Sequence, residues 1–157
     1  MTDERLVCSF RLAEHVFAIE IDRVQEVLRH QEITRLPLAA EAVRGVINLR
    51  GVIVPALDLR RCLDMDPAPD GIDPANIVVR GPGGQAVSLL VDDIGDVVPI
   101  PAGSYERPPE TLRGRARDLI HGVHQGGDGI LLVLDIGKVL RAAYAPAPVT
   151  FSRSGTS

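Results

Sequence analysis

The sequence predicts a mainly β protein built from two copies of one small unit. Three observations predict it. Short segments alternate apolar and polar residues with the period of two that a half-buried strand requires. The stretch GVINLRGVIVPALDLRRCL, Gly45 to Leu63, is repeated in outline by GVHQGGDGILLVLDIGKVL, Gly122 to Leu140. Each copy also ends alike, on an apolar strand, an Asp placed to cap a helix (Asp58, Asp135) and a short helix.

In chain order, residues 1–5 are polar and expected to fray. From Leu6 the pattern is strand, with Cys8, Phe10 and Leu12 on one face and Ser9 and Arg11 on the other. Ala13 to His15 make a tight connection. Phe17, Ile19 and Ile21 then alternate with polar or small residues, giving a hairpin with one buried face. Val24 to Arg29 reads as a strand. Pro37 opens, and Gly45 closes in the left-handed conformation, one or two helical turns over Leu38 to Arg44. A short strand, a turn at Arg50-Gly51 and a second strand follow; continuous apolarity from Val52 to Leu57 predicts burial on both faces. Asp58 caps a short helix reaching Leu63.

MDPAPDGIDPAN, residues 65–76, is a linker or long surface loop, with three Pro and a Gly among several Asp. IVVRGPGGQAVSLLVD then forms a hairpin through Gly81-Pro82-Gly83-Gly84. That Gly-rich turn leads into strand residues, not into the helix N-terminus that phosphate binding needs. The second copy follows: Val87 aligns on Phe17, Leu89 on Ile19, Val91 on Ile21 and Ile94 on Val24, all at one spacing. Gly122 aligns on Gly45, Leu134 on Leu57 and Asp135 on Asp58 at a slightly larger spacing. YERPPETLRGRARDLIHG, longer than its counterpart ITRLPLAAEAVRG, accounts for the difference. One domain over residues 6–142 is expected, with subdomains of roughly 13–65 and 76–142 and an N-terminal strand able to pair with either. Residues 143–157, rich in Pro and then Ser, Gly and Thr, are expected to be a disordered tail.

Composition narrows the function. The chain has 157 residues, 45% of them hydrophobic and only 3% aromatic, with no Trp, so its core must be built from Val, Ile, Leu and Ala. A net charge of −4 and the lack of stacking aromatics argue against nucleic acid. Cys8 and Cys62 read as small apolar residues in a reduced compartment. The acidic N-terminus does not read as a secretory signal, and no apolar run approaches the ~20 residues that span a bilayer. A soluble cytoplasmic protein is expected.

No residue set points to catalysis. His121 and His124, three apart, would face opposite sides of a strand, and no other Cys or His is near them in sequence, so no metal site is assigned. Asp92-Asp93 is explained by a polar turn. The serines lack a nucleophile-elbow pattern. Arg113, Arg115 and Arg117 could meet an anion or lie on a solvated face. A binding module that uses strand edges and grooves is the better reading, with no catalytic residue, cofactor or metal.

Val24-Gln25-Glu26-Val27 and GVINLRGVIVPALDLR closely resemble the CheW family, the coupling proteins of bacterial chemotaxis arrays. The likeness runs from about Leu6 to Leu140 and includes VDDIGDVV and ILLVLDIGKVL. It implies two five-stranded, SH3-like β-barrels side by side, with short helices and a groove between the barrels. It also implies a non-enzymatic adaptor at the inner face of the membrane. Such an adaptor joins the cytoplasmic tip of methyl-accepting chemoreceptors to the regulatory domain of the histidine kinase CheA, and can meet other CheW-like domains in array rings. Val24, Glu26, Gly45 and Arg50 match positions the family uses for receptor coupling and kinase control. In physical terms Val24 offers an apolar contact, Gly45 permits close backbone approach, and Glu26 can orient an Arg50 presented from a turn. The same domain would also suit a chemosensory-like pathway controlling pili, development or second-messenger output, and a small-barrel ligand or nucleic-acid binder is the remote alternative. No receiver-like segment is present, so the CheV type is not indicated.

Overall fold

The computed structural model describes residues 4–36, 42–108, 110, 114–126 and 129–144. The first hairpin pairs β1 (Glu4–Leu12) with β2 (His15–Glu20), Leu12 opposite His15 across a two-residue turn at Ala13-Glu14. Phe10, Leu12, Phe17 and Ile19 share a buried face, as the alternation predicts. The other face is not solvated as expected, because Val7 and Ala18 on it are fully buried. Glu4 and Arg5 are not frayed either. They belong to β1, and Arg5 reaches Glu20 at 2.9 Å.

A 3-10 turn at Ile21–Arg23 leads into β3 (Val24–Leu28), followed by β4 (Val43–Leu49) and β5 (Val52–Asp58). Most of the helix expected before Gly45 falls on residues 37–41, outside the described residues. The remainder is corrected, since Val43, Arg44 and Gly45 lie in β4. Gly45 is not left-handed; its lack of a side chain serves a close approach instead. A Cβ there would sit 2.2 Å from the Thr34 carbonyl oxygen, whose strand-like segment bridges to Val46. The turn expected at Arg50-Gly51 is present, with φ of +53° and +86°. Both central residues at positive φ is the pattern of a type I′ hairpin turn, which matches strand twist. Asn48 Oδ1 accepts a hydrogen bond from the Gly51 N–H at 2.8 Å.

Burial of β5 on both faces holds only for its second half. Val54, Ala56 and Leu57 are buried, whereas Val52 and Ile53 are 59% and 62% exposed because the hairpin tip projects past the sheet. Asp58 caps α1 (Leu59–Cys62) by accepting from the Arg60 N–H at 3.1 Å. After the loop through Pro74 come β6 (Ala75–Arg80) and β7 (Ala86–Val91), joined through residues 81–85 as predicted. The chain finishes with β8 (Asp93–Pro101), α2 (Arg115–Leu119), β9 (Ile120–Gly126), β10 (Gly129–Leu134) and α3 (Ile136–Tyr144). Helix α3 runs two residues into the segment expected to be tail, and Ala143 is 7% exposed. The rest of that segment lies outside the described residues.

The strands form two five-stranded sheets, ordered β3-β6-β7-β5-β4 and β8-β1-β2-β10-β9. The two orders are the same under the repeat, with β6 for β1, β7 for β2, β3 for β8, β5 for β10 and β4 for β9. The sheets do not divide the chain near residue 65. Strands β3 to β7 make the first, while β1 and β2 join β8 to β10 in the second, so the N-terminal strand pairs with β2 and β8. The chain therefore crosses between sheets twice, at Ile21–Arg23 and at Asp92.

This exchange explains the burial pattern. Alternate residues of one strand serve two cores. Phe17, Ile19, Leu89, Val91, Leu132 and Leu134 enter the large cluster between the sheets. Ala18 and Val133 point into one barrel, and Leu90 into the other. Helices α1, α2 and α3 add Leu59, Leu119 and Leu140 to the shared cluster.

Candidate partner-binding site

Two elements carry three of the four predicted residues, and the structure joins two of them, Glu26 and Arg50. Strand β3 carries Val24 and Glu26; the β4–β5 turn carries Arg50. A bulge at Gln25 lets Val24 pair with Val79 and Glu26 with Val78, which re-aims Glu26. Strands β3 and β4 are the two edges of the first sheet, yet Arg50 Nη1 donates to Glu26 Oε2 at 2.9 Å and Nη2 to Oε1 at 2.6 Å. The fork-to-fork pair thus spans the barrel seam, alongside the Thr34–Val46 bridge. Hydrogen bonding to Arg50, with its charge, holds the Glu26 carboxyl below its usual range. Arg50 remains 68% exposed while Glu26 is 22% exposed, so the acid anchors and the guanidinium is presented.

Val24 is half-buried and backs onto the shared core. Gly45 is buried beneath Thr34, so it shapes the seam from within and offers no open surface. Its repeat partner does the same work: a Cβ on Gly122 would meet Tyr105 at 2.9 Å. Val27 and Leu28 of β3, with Arg29 and His30 just beyond it, face Asp93, Ile94 and Gly95 of β8 across a groove of about 620 Å³. Since β3 and β8 belong to different sheets, this is an inter-barrel groove.

Asp92, which sequence reasoning assigned to a polar turn, is central to that junction. Arg60 Nε donates to Asp92 Oδ1 at 3.1 Å, Arg60 Nη2 to Asp92 Oδ2, and Arg60 Nη1 to the Asp66 carbonyl at 2.9 Å. The Ala13 N–H adds a bond to Asp92 Oδ2 at 2.8 Å. Both charged side chains are only 8% exposed. Burial alone would raise the Asp92 carboxyl, but the Arg60 and Ala13 hydrogen bonds and the Arg60 charge outweigh it and bring it below the usual range. The one sequence signal was an Asp directly after the apolar run AVSLLV; its partner lies too far away in sequence to read.

The remaining candidates are scattered. His121 meets the Tyr105 ring edge-on, while His124 Nδ1 lies 3.2 Å from Ser104 Oγ. No group of three or more potential metal ligands occurs among the described residues. Cys8 and Cys62 are buried and free, and burial pushes the Cys62 thiol up to about 12. Arg115 approaches Asp64 at 3.7 Å, and Arg113 lies outside the described residues. No described helix is long and apolar enough to cross a membrane.

Comparison with known proteins fits this geometry. The sequence model of the CheW-like domain matches residues 6–144. The chain belongs to the CheW-like family. Its relatives include the chemotaxis protein CheW of Klebsiella aerogenes, 31% identical, with 83% of this chain and 78% of that protein covered. The CheW of Treponema pallidum is 28% identical, covering 88% and 84% respectively. The protein PilI of Pseudomonas aeruginosa is 29% identical, covering 73% and 64%. The crystal structure of the scaffolding protein TtCheW from Thermoanaerobacter tengcongensis superposes with a TM-score of 0.76 at 28% identity, covering 87% of this chain and 92% of that one. The predicted CheW-like fold of two five-stranded units with short helices is the fold observed.

Proposed function

We propose that this CheW-like chain is a non-enzymatic adaptor coupling methyl-accepting chemoreceptors to the regulatory domain of the histidine kinase CheA in bacterial chemotaxis. The observation that carries the reading is the exposed Arg50 guanidinium, held at a turn by the bidentate hydrogen bonds it donates to Glu26, whose strand goes on to line the inter-barrel groove through Val27 and Leu28. Arg50 contacts a partner, Glu26 fixes its direction, and Val24 adds apolar surface on the same strand. Gly45 acts indirectly, by letting the Thr34 segment close the seam on which the pair rests. The relatives named as chemotaxis and scaffolding proteins support the same role.

An exposed ion pair contributes only about 0–1 kcal/mol to stability, so this one serves geometry and partner choice. Individual contacts can be weak, because receptors, kinase and other CheW-like domains assembled in rings at the inner membrane face supply effective concentration. Arg50→Glu places two carboxylates together; it is expected to leave far-UV circular dichroism unchanged and to reduce co-sedimentation with receptor fragments and kinase. Normal kinase activation by that folded variant would sink the proposal. The PilI likeness favours, as a second reading, the same adaptor in a pathway controlling pili. A deletion strain that loses surface twitching and keeps swimming chemotaxis would select it.

A further inference from the structure

The first crossing between sheets carries an arrangement that the fold does not need. Arg23 ends the 3-10 turn before β3, and Arg80 ends β6. Val24 stands opposite Val79 as the last pair of this antiparallel ladder, and Arg23, in the 3-10 turn, and Arg80, at the end of β6, flank that pair. Both are exposed, and both line one concavity of about 400 Å³ with Val24 and Gln25 on its wall. Two like charges brought to one concavity repel each other, most strongly at low salt.

Nothing described in the chain relieves that repulsion. Arg5, Arg11, Arg50, Arg60 and Arg115 each have a carboxylate within 4.0 Å; among the described residues Arg23 and Arg80 have none, as is also true of Arg29, Arg35, Arg44, Arg107 and Arg141, but Arg23 and Arg80 share one concavity. The acid two positions along β3, Glu26, is committed to Arg50. Asp22 lines the same concavity but forms no ion pair with either arginine.

We propose that Arg23 and Arg80 form a cradle for a carboxylate of the chemoreceptor segment that docks along β3 beside Val24. The proposal rests on β3 being the receptor-facing strand. A protein carboxylate fits better than a phosphate surface. The cations are two and local, an aspartate stands beside them, the whole chain carries a net charge of −4, and a nucleic acid or anionic membrane calls for a broader basic patch. A carboxylate between the guanidiniums converts a repulsive pair into two charge-assisted hydrogen bonds.

The test compares wild type, Arg23→Gln/Arg80→Gln and Arg23→Glu/Arg80→Glu for binding to a soluble cytoplasmic receptor fragment from the same genome, at low and high salt. The glutamine pair should bind roughly tenfold more weakly at low salt with a flatter salt dependence, and the glutamate pair more weakly still. The melting temperature of the glutamine pair should equal or exceed that of wild type, because the repulsion is gone. Equal affinity and salt dependence for wild type and the glutamine pair overturn the cradle alone, as does a fall in its melting temperature, which would make the arginines structural. A wild-type chain that binds no receptor fragment, or that binds anionic vesicles or single-stranded oligonucleotide through the same arginines instead, overturns the β3 reading together with the cradle.

Discussion

Breaking the Arg60–Asp92 pair should be the most damaging polar substitution in the molecule. Asp92→Asn keeps the shape of the side chain but leaves the Arg60 guanidinium, 8% exposed, without its hydrogen-bonded counter-charge, with only the weaker fields of Asp58 and Asp66 to offset it. Removing one partner of a buried pair typically costs about 3–5 kcal/mol. That is a large share of the ~5–15 kcal/mol stability of a domain. The cost is that of a stranded charge, so replacing both partners should recover most of it. Arg60→Met/Asp92→Leu leaves the Asp66 carbonyl and the Ala13 N–H without their side-chain partners, and the bond to Ala13 lies at an exposed position where water can substitute. Urea unfolding followed by far-UV circular dichroism measures all four proteins of the double-mutant cycle at fixed m-value. The expectation is a loss of about 3–5 kcal/mol for either single change, and a double variant closer to wild type than either single. An Asp92→Asn protein within about 0.5 kcal/mol of wild type would refute the reasoning, since it would mean that water already solvates the pair.

Four further outcomes follow from the same geometry. The Asp92 carboxyl is held below its unfolded range, so its contribution to stability is full above the unfolded pKa near 4 and is lost as pH falls through the folded value; acid titration of wild type should steepen below about pH 4 relative to Arg60→Met/Asp92→Leu. Gly45→Ala and Gly122→Ala should each destabilise by roughly 1–3 kcal/mol in thermal melts, since each added methyl meets atoms at under 3 Å. Glu26→Gln should keep the fold yet weaken receptor binding several-fold, and Arg50→Lys should do the same, because a lysine has no fork to meet the carboxylate. Cys62, with its thiol raised to about 12 by burial, should resist alkylation at pH 8 in the folded protein and react once urea unfolds it.

What the sequence made legible is what local rules determine. The Arg50-Gly51 turn, the Asp58 cap and the Phe10/Leu12/Phe17/Ile19 face follow from φ preferences, capping chemistry and strand alternation. Glu26 facing Arg50 became readable through family likeness, and the structure adds the reason: the sheet edges meet at the barrel seam. The subdomain boundary was misplaced because a Pro-rich loop, here residues 65–74, looks like a linker whether it joins domains or two strands of one sheet. The β1–β2 hairpin was given one wet face because alternation with small residues such as Ala18 imitates solvent exposure. Gly45 was assigned to a helix end for lack of any sign that Thr34 would lie over it. The Arg60–Asp92 pair and the groove between β3 and β8 depend on strands exchanged between sheets, which no local pattern encodes.

The repeat separates what the fold requires from what one partner requires. Features needed by a small barrel occur twice: a capping Asp at 58 and 135, a glycine under a crossing segment at 45 and 122, an isolated bridge at Thr34–Val46 and again at Glu106–Val123. Three features occur once. Glu26 and Arg50 correspond to Asp96 and Gly127, a combination with no guanidinium. Asp92 and Arg60 correspond to Asp22 and Gly137, so the second crossing is tied by a buried ion pair while the first leaves its aspartate exposed. Arg23 and Arg80 stand at that untied crossing. The asymmetry therefore concentrates on β3 and the residues around it: one crossing is locked, and the other presents an aspartate and two arginines that form no ion pair among the described residues, with a clamped Arg50 beyond them. A chain under selection for folding alone would have no reason to keep these on one side, whereas a module that must present one face to one partner would.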